Sequence, residues 1–113
     1  MWVGTLELDL LLGGTDLPVR SLKEKRSVVR PLVAELQRRF AVSAAEAGYL
    51  DLHRRALVGV AVVGADRSHC ASVLDRCERL VAERPEVELL SARQRLISSQ
   101  DDVDDVSEGV DRG

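Results

Sequence analysis

The ten residues from Ala56 to Ala65 carry no polar side chain. Val58, Val60 and Val62 fall on one side of an extended chain, and Leu57, Ala61 and Val63 fall on the other. A strand that is apolar on both faces belongs inside a sheet, with neighbours on either side and at least one covered face. The rest of the chain must therefore build a sheet around this segment. At 113 residues it has enough length for one domain with a sizeable core and too little for two.

The flanking segments define that sheet. Residues 2 to 12 alternate, with Leu6, Leu8 and Leu10 opposite Thr5, Glu7 and Asp9, the period of a half-buried strand. Gly13, Gly14, Asp16 and Pro18 break it. Ser21 followed by Glu24 has the spacing of a capping box. Beyond it, Val29, Leu32, Val33, Leu36 and Phe40 recur at helical spacing and place a helix from Leu22 to near Phe40. Pro31 lies inside it, and because proline removes an amide donor and crowds the preceding turn, a kink or two abutting helices are expected there. A strand over 42 to 48, the central strand, a helix capped by Asp66 and a last strand from Val87 toward Ile97 complete the series. The second helix carries a stripe of Cys70, Val73, Leu74, Cys77, Leu80 and Val81 and stops at Pro85.

Strand, helix, strand, strand, helix, strand, joined by right-handed crossovers, gives an α+β fold of the ferredoxin-like βαββαβ kind. It is a four-stranded antiparallel sheet with both helices on one face and the other face open. Residues 1 to 98 form this domain. Residues 99 to 113 are too polar to bury a core and are expected to form a disordered acidic tail.

Charge is unevenly spread. The whole chain carries -3, but residues 98 to 113 hold six acidic residues against Arg112, whereas residues 20 to 39 hold seven basic residues against two acidic ones. The acidic balance is thus a property of the tail, and a basic face can still meet an anionic partner. The opposite charges raise masking of the basic helix by the tail as an expectation. The apolar start has no charged region before it and soon meets Glu7 and Asp9, so neither a signal peptide nor a membrane span is expected, and a cytoplasmic location is. Cys70 and Cys77 are two helical turns apart, roughly 10 Å, too far to bridge, and lack the paired spacing of a zinc site. They read as core residues.

The candidate site is basic. Arg20, Lys23, Lys25, Arg26 and Arg30 gather at a helix start, where cations displace counterions from phosphates and free amides add anion affinity. Arg54 and Arg55 lie in the loop from Asp51 to Arg55, a position suited to binding. His53 has no identifiable nucleophile or carboxylate partner, so no catalytic residue is assigned. Glu7 and Asp9 sit on one strand face, roughly 7 Å apart. They are read as partners for arginine or as solubilising charges, so no metal site is assigned. No cofactor and no small-molecule substrate are expected. Among the roles open to this fold, base stacking on the central strands lacks the aromatic residues, and metal carriage lacks a paired-cysteine loop. Acylphosphatase chemistry lacks an asparagine, a residue type absent from the chain.

Trp2-Val3-Gly4-Thr5-Leu6-Glu7-Leu8, Ser21-Leu22-Lys23-Glu24-Lys25-Arg26-Ser27-Val28-Val29, Arg39-Phe40-Ala41-Val42-Ser43, Asp51-Leu52-His53-Arg54-Arg55-Ala56 and Pro85-Glu86-Val87-Glu88 together resemble the YlxP-like bacterial family, small domains of unassigned function. The resemblance spans nearly the whole folded region. It implies a compact ferredoxin-like domain whose gene commonly stands among genes for translation initiation and ribosome maturation factors, and hence a role near RNA or the ribosome. This chain differs in a longer first loop, Gly13 to Val19, and in its acidic tail.

The expectation is a non-enzymatic cytoplasmic protein that docks on structured RNA or a ribosomal particle through Arg20, Lys23, Lys25, Arg26, Arg30, Arg54 and Arg55. The alternative is a homodimer or protein-docking module that uses the open sheet face and has no nucleic-acid role.

Overall fold

The leucine alternation of the first segment becomes β1 (Trp2–Leu12), whose Leu6, Leu8, Leu10 and Leu12 are fully buried. The computed structural model describes residues 1–13 and 18–100. The charge-masking and disorder expected of the tail fall on residues of which 101 to 113 lie outside that range. Part of the longer first loop, residues 14 to 17, lies outside it too.

The apolar segment is β3 (Arg55–Gly64), paired antiparallel with β1 along its length, Leu6 opposite Val60 and Leu8 opposite Val58. β2 (Ser43–Gly48) lies on its other side and β4 (Val87–Ser98) lies beyond β1, so the order across the sheet is β2-β3-β1-β4 with every neighbour antiparallel. β3 and β1 take the two inner positions. With α1 (Leu22–Phe40) and α2 (Arg67–Ala82) as the two crossovers, this is the ferredoxin-like α+β fold.

One core forms between sheet and helices. Ala56, Val58, Val60 and Val62 of β3 join the β1 leucines beneath Val29, Leu32 and Leu36 of α1 and Cys70, Val73, Leu74, Cys77, Leu80 and Val81 of α2. α2 lies close on the sheet: a methyl group added at Gly4 would come within 2.8 Å of Leu74 Cδ1, and one at Gly64 within 2.8 Å of Cys70 Sγ. The opposite sheet face bears the alternate positions of each strand. There Glu7 stands opposite Arg93, Thr5 opposite Arg95, and Val3 between Val63 and Ile97.

Both helices start as their sequences specify. Ser21 Oγ accepts from Glu24 N at 3.1 Å, and Glu24 Oε1 in return accepts from Arg20 N at 2.6 Å, one residue ahead of the cap. Asp66 Oδ1 accepts from His69 N at 2.8 Å and from Ser68 Oγ at 2.9 Å. Those bonds, His69 N–H foremost, hold the Asp66 carboxyl below its usual range. Pro31 does not divide α1, which runs unbroken for 19 residues. Pro31 and Ser27 are both exposed, so the Ser27 carbonyl that loses its helical donor can turn to water.

Candidate functional site

The helical repeat sorts the cations of α1 into two kinds. The core stripe of α1 reads 25, 29, 32, 36, which makes Lys25 its first member. Its side chain is 2% exposed. Lysine is almost never this buried unless paired, and Lys25 Nζ has internal partners: it donates to the carbonyls of Tyr49 and Leu52, each at 2.7 Å, and forms an ion pair with Glu46 Oε2 at 2.6 Å. Its place among the expected anion-binding residues is therefore corrected. Two of its donors bind carbonyls and its charge is met by Glu46, so the ammonium faces β2 and the following loop rather than solvent.

Lys23, Arg26 and Arg30 are exposed and recur three and four residues apart, and Arg38 extends their line two turns further on the same side of the helix. No carboxylate interrupts that line: Glu24 and Glu35 lie on the flanks of the helix, where Glu24 serves the cap and Glu35 meets Arg84. Among the described residues none of the four cations is in an ion pair. Each adds a full charge to a face pointing away from the core.

The loop after β2 is held in place by Lys25. Leu52 N donates to Tyr49 O at 3.0 Å, closing a turn whose two carbonyl groups are those that Lys25 binds. Tyr49 takes a left-handed conformation, φ 57°, a strained state for a bulky residue that this anchoring sustains. The turn delivers His53 and Arg54 to an open cleft of about 600 Å³ that Arg20, Leu11, Val19 and Glu88 also line. Arg20 and Arg54, remote in sequence, thus meet at the N-terminal end of α1.

Arg55 behaves otherwise. Its Nη2 donates to both oxygens of Asp9 at 2.8 Å and its Nε to Oδ1 at 3.2 Å. The guanidinium also lies over the Tyr49 ring, 4.7 Å from the centroid. The hydrogen bond to Asp9 is the main reason its pKa is raised. Arg55 is therefore withdrawn from the expected anion-binding set, its charge being matched by a carboxylate in the fork geometry that arginine favours. Asp9 gains the arginine partner expected of it. Glu7 stays exposed on the open face, with no ion-pair partner among the described residues.

Cys70 and Cys77 are free thiols in the core, and burial pushes Cys77 up to about 11. Among the described residues no group of three or more His, Cys, Asp or Glu side chains is arranged to hold a metal ion, and no helix is long and apolar enough to cross a membrane. One feature escaped the sequence reading: Arg76, Arg79 and Arg84 join Arg39 around a second cleft, at the far end of α1. Arg76 and Arg79 are one turn apart on α2, and the packing of α1 on α2 brings Arg39 to them.

A ferredoxin-like domain with one helix edged in cations that have no ion pair among the described residues is the class these features define. The family model for proteins of unknown function designated DUF503 matches residues 3–94, and the chain belongs to that family. The uncharacterized protein YlxP of Bacillus subtilis (strain 168) is 37% identical over 68 residues, which cover 60% of this chain and 74% of that protein. The resemblance to YlxP-like proteins read from the sequence is borne out.

Proposed function

We propose that the protein is a non-enzymatic, cytoplasmic binding module that docks on the phosphate backbone of structured RNA, free or within a ribosomal particle. The observation that carries this reading is the outward line of Lys23, Arg26, Arg30 and Arg38, free of carboxylates and unpaired among the described residues. Arg20 and Arg54 extend it at the N-terminal end of the helix. Four cations spaced along a helix about 28 Å long, from 19 residues at 1.5 Å each, suit a row of phosphates better than one compact anion. The inner strands lack aromatic side chains apart from Trp2 at one end, which favours backbone and shape contacts over base stacking. The resemblance read from the sequence points the same way.

Replacing Lys23, Arg26 and Arg30 with Glu should abolish co-sedimentation with ribosomal particles and leave the thermal melt unchanged. Association that persists and ignores salt would contradict the proposal.

A second reading, a homodimer through the open sheet face, is favoured by one observation. Val63 is 63% exposed and Ile97 37% exposed, on either side of Val3 at one end of that face. Glu7 and Arg93, unpaired among the described residues, could cross-match between two copies. Light scattering at high micromolar concentration tests it: a dimer that Val63→Asp dissociates supports this reading, and a monomer throughout removes it.

A further inference from the structure

The cleft at the C-terminal end of α1 is lined by Arg39 and Phe40 from α1, Arg76 and Arg79 from α2, and Glu83 and Arg84 from the turn that follows, around a space of about 560 Å³. This is within the size range of a ligand cleft.

Two of the four arginines have no carboxylate partner among the described residues. Arg84 pairs with Glu35, and Arg39 reaches the same carboxylate more loosely, at 3.4 Å, with its guanidinium 5.6 Å from the Phe40 ring centroid. Arg76 Nη2 donates only to Ser72 Oγ on its own helix, at 3.2 Å, which neutralises nothing. The Arg79 side chain has neither a hydrogen bond nor an ion pair among the described residues. Glu35 and Arg84 share their own groove with Glu86, so those charges are met there, while Arg76 and Arg79 take part in no ion pair among the described residues. Both helices end here, and each C-terminus offers about half a negative charge, which the two arginines offset. Their planar forks match phosphate oxygens.

We propose that this cleft is a phosphate site that takes a backbone phosphodiester of the same RNA. Arg76 and Arg79 are the primary ligands, and Arg39 is released from its long contact with Glu35 to join them. The assignment of RNA as the source of the phosphate rests on the proposed function. The outward line of α1 would then be bracketed by two clefts, one at each end of the helix, so that the RNA is held along the full length of α1 rather than at its start alone.

The test uses the full chain and an RNA hairpin, with salt titration of affinity and NMR of the arginine Nε–H groups. Arg76→Gln/Arg79→Gln should bind the hairpin more weakly, with the slope of log K against log salt reduced by about 0.7–0.9 for the lost phosphate contact, and the Arg76 and Arg79 resonances of the native chain should shift when the hairpin is added. Both substituted residues are exposed, and an unchanged thermal melt confirms an intact fold. If the native affinity and slope persist in this variant while Lys23→Gln/Arg26→Gln/Arg30→Gln loses binding, the cleft proposal is overturned and the proposed function stands. If the native chain binds no RNA, the proposed function fails, and inorganic pyrophosphate becomes the probe. Shifts confined to Arg39, Arg76, Arg79 and Arg84 would then support a phosphate site fed by a free phosphorylated ligand, and no shift would overturn it.

Discussion

α1 and α2 cover the same face of the same sheet but are held there by different physics. α2 buries six of its 16 residues, both cysteines among them, and lies so near β1 and β3 that Gly4 and Gly64 leave it room. α1 buries four of 19, and one of the four is Lys25. Polar ties do much of the rest for α1: Lys25 to the Tyr49 and Leu52 carbonyls, Gln37 Nε2 donating to Ala44 O at 2.9 Å, and Glu35 to Arg84. A helix fixed by directional contacts needs less of its surface for the core, and the surface thus freed on α1 is where the outward cations Lys23, Arg26, Arg30 and Arg38 stand. α2 shows the opposite use, its outward charges mixed in sign, with Asp75 and Arg76 adjacent.

If this contrast is right, the largest effect should come from cutting the polar tie of α1. Lys25→Met would leave Glu46 and two carbonyls without their donor and should cost on the order of 3 kcal/mol in a urea melt. Lys23→Met, two residues away, should stay within about 0.5 kcal/mol. Equal effects would mean that α1 is held by packing, as α2 is. Next, Gly4→Ala forces a methyl into the contact with Leu74 and should destabilise by about 1–3 kcal/mol, and a neutral result would show that α2 can shift without loss.

The third expectation concerns pH. The fold favours the neutral Cys77 thiol, raising its pKa from 9.0 to about 11. Its contribution is therefore complete below about pH 9 and is lost as pH rises toward 11. Native protein should lose more stability between pH 8 and pH 10.5 than Cys77→Ala does, and parallel losses would refute the assignment. The smallest effect belongs to the end of α1, where Ala41 holds φ 54° in the left-handed region and donates its N–H to Gln37 O at 3.2 Å. Glycine accepts that conformation without strain, so Ala41→Gly should raise stability by a few tenths to about 1 kcal/mol in thermal melts. A loss would mean that chain entropy outweighs the relief.

Much of the fold was legible because each element carries its own period. The β1 leucines, the polar-free β3 segment and the two caps marked element type and order, with boundaries within a residue or so of those observed except the end of α2, which stops at Ala82, three residues before Pro85. Of the two outcomes expected at Pro31, the division into two helices does not occur, because a proline at an exposed position of a long helix can be carried by the turns on either side. For the site, Lys23, Arg26 and Arg30 could be read as outward because the helical repeat puts them opposite the core. Lys25 was misread although the same repeat puts it on the core stripe. Residue type outweighed position there, and the compensating acceptors, Glu46, Tyr49 and Leu52, sit more than twenty residues on, where no local pattern reveals them. Arg55 was misjudged for the same reason, its partner Asp9 lying two strands earlier. In the second cleft the Arg76 and Arg79 pair shows in its three-residue spacing on α2, but the approach of Arg39 is tertiary and leaves no trace there.

The most direct test of the central claim is the salt dependence of binding to an RNA hairpin, followed by fluorescence anisotropy in the native chain and in Lys23→Gln/Arg26→Gln/Arg30→Gln. The native chain should lose affinity steeply with salt, and the variant should bind more weakly with a slope shallower by about 0.7–0.9 for each phosphate contact removed. Indistinguishable curves for the two proteins, or no binding by either at low salt, would contradict the assignment of the α1 line as an RNA-binding surface.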